Sequence, residues 1–72
     1  MEKIKLISPS PQFWGHPKIK RLIKLGVIKN NNKNEILVEK TSYLEKVLDT
    51  LGEIWEEGLI EDFLPPPKPL YL

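Results

Sequence analysis

The chain has 72 residues, of which 40% are hydrophobic and 29% are charged, and its formal net charge is +1. This length predicts one small domain, and the absence of cysteine excludes a disulfide and thiolate metal ligands. A single histidine does not support a zinc site, and no apolar stretch approaches the roughly 20 residues that span a bilayer. We therefore expect no metal, no membrane contact and a small domain that is stabilised by a partner.

The charge is unevenly distributed along the chain. Up to Lys33 there are eight basic residues and one acid, whereas from Asn34 onward there are three basic residues and nine acids. The first part therefore carries about +7 and the second about −6. Such an asymmetry indicates that one face of the domain meets a polyanion.

The first part predicts a strand, a proline-bounded loop and a basic helix. Residues 3–8 alternate between apolar and polar side chains, which is typical of a half-buried strand. A helix is expected over residues 17–25, because Pro17 suits a first helical turn and Gly26 suits a left-handed stop. The helix has an apolar arc formed by Ile19, Leu22 and Ile23, opposite a basic arc formed by Lys20, Arg21 and Lys24.

The second part predicts a turn, a strand and a second helix. Residues 30–34 are rich in asparagine and indicate a turn, and residues 36–38 indicate a buried strand. Thr41 or Ser42 is expected to cap the helix, with Glu45 completing a capping box. The apolar stripe of this helix consists of Leu44, Val47, Leu48, Leu51 and Trp55.

The pattern leaves the region after Leu51 open. Helical spacing carries the second helix through Trp55, whereas Gly52 favours an earlier stop and a third strand over residues 54–60. Residues 64–72 contain four prolines and predict an extended polyproline II tail beyond a domain of residues 1–63.

The basic arc of the first helix is the candidate polyanion site. Its cations either contact phosphates or form a solvated surface, and Lys29 and Lys33 extend the same patch. Phe13 and Trp14 lie beside it in sequence, where they either stack on unpaired bases or fill the small core. We expect Trp55 to be a core residue, since it continues the apolar stripe.

The chain shows no catalytic constellation. Ser8 and Ser10 have no candidate base except His16 and no oxyanion motif. The acids of residues 53–62 indicate a solvated face, because no histidine or glycine-bounded loop accompanies them. We therefore expect no enzyme activity, no cofactor and no small-molecule substrate.

The ordered set of elements resembles the bacterial-type large-subunit ribosomal protein L-thirty family. The resemblance covers about residues 3–61 and rests on five matching pieces. They are residues 5–10, the Leu25-Gly26-Val27 turn, the run from Ile36 to Thr41, the apolar positions Leu44, Val47, Leu48 and Leu51, and the start of a last strand at Ile54-Trp55-Glu56-Glu57.

The resemblance implies an α+β fold of β-α-β-α-β order, with a three-stranded antiparallel sheet and both helices on one face. It also implies a structural, non-catalytic role in binding ribosomal RNA, through Ser10, Lys18, Lys20, Arg21, Lys24, Lys29 and Lys33. His16, at the helix start, is a further candidate for a phosphate contact, and the acidic half is expected to face away from RNA.

The proline-rich tail lies outside the family pattern, and the chain is less basic than usual members. Both features suit a mitochondrial rather than a cytoplasmic ribosome, in which neighbouring ribosomal proteins replace some RNA contacts. The expected protein contacts of the tail are Pro65, Pro66, Pro67, Leu70 and Tyr71.

Two other functions fit the sequence. A small DNA-binding regulator would use residues 17–25 as a recognition helix and would have a helix-turn-helix in place of the strand over residues 35–40. An interaction adaptor would act through the tail, in which Pro66 and Pro69 have Pro-x-x-Pro spacing.

Overall fold

The computed structural model describes residues 2–64, so the contacts expected of the tail from Pro65 onward lie outside the described residues. The elements in chain order are β1 (Glu2–Ile7), α1 (Pro17–Lys24), β2 (Ile28–Asn32), β3 (Glu35–Val38), one 3₁₀ turn (Thr41–Tyr43), α2 (Leu44–Glu56) and β4 (Asp62–Leu64). Leu64, which the sequence assigned to the tail, is the last residue of β4.

The four strands form one antiparallel sheet in the order β2-β3-β1-β4. The α+β class and the antiparallel pairing are therefore confirmed, but the prediction of three strands is wrong. The chain follows a β-α-β-β-α-β order in which β3 lies between β1 and β2, the arrangement called split β-α-β or ferredoxin-like.

The additional strand is β2, which lies where the asparagines predicted only a turn. Ile28 pairs with Val38 and Asn30 with Ile36, and a bulge precedes the pairing of Asn32 with Glu35. Asparagine has low strand propensity, but pairing with β3 and complete burial of Ile28 outweigh it. The turn is confined to residues 33–34, where the Asn34 N–H donates to Asn32 Oδ1 at 2.9 Å.

Helix α2 continues through Gly52 to Glu56, so of the two alternatives that the pattern left open the helix is correct, and the strand start at Ile54 that the resemblance implied is wrong. Ile54 is fully buried on the helix, which explains why the helical register is favoured there. The helix ends at Glu56 and is terminated by Gly58, which has a φ of 81°. The N–H groups of Gly58 and Leu59 donate to the carbonyls of Trp55 and Ile54, the pattern of a Schellman motif.

The predicted capping box at Ser42 does not form. Thr41 and Ser42 lie in the 3₁₀ turn, and α2 begins after Tyr43 without a side-chain cap hydrogen bond. The Glu45 carboxylate remains in the first turn, where it favours the positive end of the helix dipole.

The core is a single cluster on one face of the sheet. Its members come from all three longer strands, both helices and three loops: Ile4, Leu6, Phe13, Ile19, Leu22, Val27, Ile28, Ile36, Val38, Val47, Leu51, Ile54 and Ile60. Phe13 is 0% exposed and is therefore a core residue, with Trp14 packed partly against the cluster. Trp55 is 50% exposed, so its predicted core position is wrong.

The order of elements contradicts the helix-turn-helix alternative. The segment after α1 forms the hairpin of β2 and β3, not a second helix. A recognition helix supported by a preceding helix is therefore not present in residues 2–64.

Candidate nucleic-acid interface

Helix α1 begins at a histidine cap. The backbone N–H of Lys18 donates to His16 Nδ1 at 3.1 Å, and Pro17 occupies the first turn, where no backbone donor is needed. Because Nδ1 accepts, the ring proton lies on Nε2, which contacts Glu57 Oε1 at 3.0 Å. The His16 side chain is 11% exposed, and its two contacts orient α1.

A hydrogen bond and an ion pair hold α1 beside α2 in an antiparallel arrangement. His16 contacts Glu57, and one turn farther along Lys18 pairs with Glu53. The hydrogen bond and the charge of Lys18 lower the pKa of Glu53 below its usual range. Two acids of the second half, Glu53 and Glu57, therefore lie against residues of the basic half, a contact that the sequence did not predict.

The other cations of α1 project away from the core. Lys20, Arg21 and Lys24 are exposed, and in the described part of the chain none of them forms an ion pair with a carboxylate. Arg21 and Lys24 lie in the last turn, where positive charge stabilises the negative end of the helix dipole. These three residues, which we call the cationic arc, lie within one and a half turns of helix.

The end of α1 is fixed as the sequence predicts. Gly26 has a φ of 74°, its N–H donates to the Ile23 carbonyl, and the Val27 N–H donates to the Leu22 carbonyl. Lys40 Nζ donates to the free carbonyl of Leu25 at 3.3 Å. The cationic arc is thus carried by a helix whose two ends are both fixed.

A groove of about 600 Å³ separates the outer surfaces of the two helices. Arg21 and Leu25 line the α1 side, and Tyr43, Lys46 and Asp49 line the opposite side. Leu25 is 56% exposed and Tyr43 is 45% exposed, although both are large apolar side chains. We refer to this feature as the interhelical groove.

The remaining candidate residues lie on other surfaces. Ser10 and Lys33 meet at a smaller pocket with Trp14, whose Nε1–H donates to the Lys33 carbonyl at 3.2 Å. The Ser10 hydroxyl accepts the Gln12 N–H at 3.2 Å, so it supports the loop. Lys29 lies on strand β2 with Nζ 3.4 Å from Glu39 Oε1, and its neighbour across the ladder is Leu37.

Strand alternation places Lys29 on the face of the sheet that is opposite to the helices. Ile4 and Leu6 are buried beneath the helices, whereas Lys3 and Lys5 alternate with them and are exposed. Lys29 and Lys3 both pair with Leu37, so they share that outer face. The basic N-terminal half therefore supplies two separate surfaces, and only the one on α1 contains the cationic arc.

Sequence patterns did not identify Tyr43 or Lys46 as site residues. Each lies beyond the basic half and becomes part of the interhelical groove only because α2 packs antiparallel to α1. The apolar stripe of α2 predicts which face of this helix is buried. A single sequence does not show which other helix packs beside that face.

The described residues contain no cluster of three or more potential metal ligands, and no helix among them is long and apolar enough to cross a membrane. No family model matches the chain, and neither a curated protein nor a solved structure matches it.

Proposed function

We propose that this protein is a structural RNA-binding component of the large ribosomal subunit that contacts ribosomal RNA with the cationic arc of α1. The observation that carries the proposal is which basic side chains are paired with carboxylates and which are not. Lys18 and Lys29 are paired with carboxylates, whereas Lys20, Arg21 and Lys24 are exposed and have no carboxylate partner within residues 2–64.

The mechanism is electrostatic scaffolding. Each phosphate that a cation of the arc neutralises releases counterions, which favours binding and makes it weaken steeply with salt. The helix is fixed at His16 and at Gly26, so the three side chains are presented from a rigid element. Phosphate contacts of this kind position the protein without reading sequence.

The resemblance to the L-thirty family supports the choice of ribosomal RNA as the polyanion. The four-stranded sheet differs from the three-stranded sheet that the resemblance implies, so the proposal rests on the α1 surface rather than on the topology. A mitochondrial ribosome is part of the proposal, because the net charge is only +1 and a proline-rich segment follows residue 64.

Sedimentation tests the cellular part of the proposal. Lysates of mitochondria and of cytosol are separated at low salt, and the full chain is detected across the gradients. We expect it with large subunits in the mitochondrial sample, and increasing salt should release it. Recovery at the top of both low-salt gradients would contradict the ribosomal assignment.

Salt-dependent binding of purified protein to an RNA fragment tests the role of the arc. The triple variant Lys20→Gln, Arg21→Gln, Lys24→Gln should weaken binding and reduce the slope of log affinity against log salt by about 2, since each single-strand phosphate contact contributes roughly 0.7. Circular dichroism checks that the variant remains folded.

Lys3→Gln is the matched control for the single variant Arg21→Gln, since Lys3 is exposed on the opposite face of the sheet. It removes one charge and should leave the salt slope close to that of the parent protein. Equal effects of Lys3→Gln and of Arg21→Gln would show that only net charge matters, and the arc would then have no particular role.

A further inference from the structure

The interhelical groove combines features that the cationic arc alone does not have. Arg21 reaches it from α1 and Lys46 from α2, so positive side chains lie on both sides. Tyr43 and Leu25 also line the groove and expose about half of their surface, at 45% and 56%. A phosphate needs only the cations, so the exposed apolar side chains are not explained by phosphate binding.

We propose that the interhelical groove binds one unpaired nucleotide of the RNA, with its base against Tyr43 and its phosphate between Arg21 and Lys46. This inference rests on the proposed function and names the part of the RNA that the site takes. The phenol ring of Tyr43 offers a stacking surface for a base, and Leu25 offers apolar contact beside it.

The acids of the groove are compatible with this ligand. Glu53 is neutralised by its pairing with Lys18, which leaves Asp49 as the free carboxylate among the lining residues of the described chain. A carboxylate accepts hydrogen bonds from the exocyclic amino group of a base or from a ribose hydroxyl. The groove is therefore cationic at its two sides and has one acceptor for a donor on the nucleotide.

The size of the groove also fits. A volume of about 600 Å³ lies within the range of small-molecule sites, roughly 300–1,000 Å³, and it is wider than a single inorganic phosphate requires. A base in a duplex is stacked on its neighbours and is not available to Tyr43. The groove should therefore bind single-stranded RNA, or a bulge or loop, in preference to a regular RNA double helix.

The test compares the binding of a labelled single-stranded RNA and of a duplex of the same length by fluorescence anisotropy at low salt. The full-length chain is used as parent, Tyr43→Leu and Tyr43→Phe. We expect Tyr43→Leu to weaken single-strand binding about tenfold and to leave duplex binding unchanged, because stacking is lost but apolar area is retained. Tyr43→Phe retains the ring and should bind both ligands as the parent does.

The outcomes separate the inference from the proposed function. Single-strand binding that is unchanged in Tyr43→Leu but weakened in Arg21→Gln would overturn the nucleotide site and leave the cationic arc intact. A parent protein that binds neither RNA would overturn the proposed function and the inference with it. Lys46→Gln, which should weaken single-strand binding more than duplex binding, tests the groove without altering Tyr43.

Discussion

At the scale of single residues, the structure separates side chains that fix the helices from those left free to bind. His16 and Lys18 are both basic residues in the segment that the sequence marked as a polyanion site, yet both contact carboxylates of α2. Their role is to hold α1 against α2. The residues of the cationic arc are free, because none of them pairs with a carboxylate in the described part of the chain.

Replacement of Gly26 or of Gly52 by alanine should change the free energy of unfolding in opposite directions. Gly26 has a φ of 74°, so Gly26→Ala should lower the free energy of unfolding by about 1 kcal/mol. Gly52 lies within α2, and an added Cβ there meets open space, so Gly52→Ala should raise it by about 0.5–1 kcal/mol. Urea denaturation of both variants checks the signs, and a loss of stability in Gly52→Ala would contradict the uninterrupted helix.

The pairing of Lys18 with Glu53 predicts a pH dependence. The pKa of Glu53 is lowered in the folded protein by the Lys18 hydrogen bond and charge. Its contribution to stability is therefore complete above the unfolded pKa and is lost as the pH falls through the folded pKa. Because Glu53 is exposed, the contribution is small and is screened by salt.

Lys18→Gln is expected to return the pKa of Glu53 toward its usual range, as measured by NMR titration of the side-chain carboxyl carbon. The stability difference between this variant and the parent should then disappear at acidic pH, where Glu53 is protonated in both. Lys20→Gln is the control, since Lys20 has no ion pair in the described chain, and it should not shift the Glu53 titration.

At the scale of elements, the sequence predicts correctly those helices and strands whose ends are marked by a local sequence signal. The prediction of α1 is correct because Pro17 and Gly26 mark the two ends of the helix. The prediction of β3 is correct because its apolar run is short and bounded by charged residues. Strand β2 was missed, since only its partner β3 makes an asparagine-rich segment extended. The last strand was misplaced because Ile54 and Trp55 suit a strand as well as a helix.

The candidate site was predicted in part for the same reason. The cations of α1 follow from helical periodicity, which needs no tertiary information. Their pairing with Glu53 and Glu57, and the inclusion of Tyr43 and Lys46, depend on how α1 and α2 pack. A single sequence contains no direct record of that packing.

At the scale of the whole molecule, one core contains residues of both helices and of the strands β1, β2 and β3. Phe13 comes from a loop but is completely buried in that core, so Phe13→Ala should lower the free energy of unfolding by about 3–5 kcal/mol. The total free energy of unfolding of a small domain is only about 5–15 kcal/mol, so the variant should be largely unfolded on warming. Thermal melting followed by circular dichroism measures this loss.

Trp55→Ala is the comparison for that prediction. Trp55 is larger than Phe13 but is half exposed, and its Nε1–H donates to the Glu61 carbonyl at 2.8 Å. Trp55→Ala should therefore lower the free energy of unfolding clearly less than Phe13→Ala does. An equal loss in the two variants would contradict the boundary of the core described above.

The position of β1 within the sheet has a consequence for synthesis. β1 ends at Ile7 and is translated before its two neighbours in the sheet, which begin only at Glu35 and Asp62. While the last of these is still within the exit tunnel, β1 has an unpaired edge and the sheet is incomplete. The sheet is therefore complete only after residue 64 has emerged, and a nascent chain stalled before Asp62 should remain a substrate for chaperones.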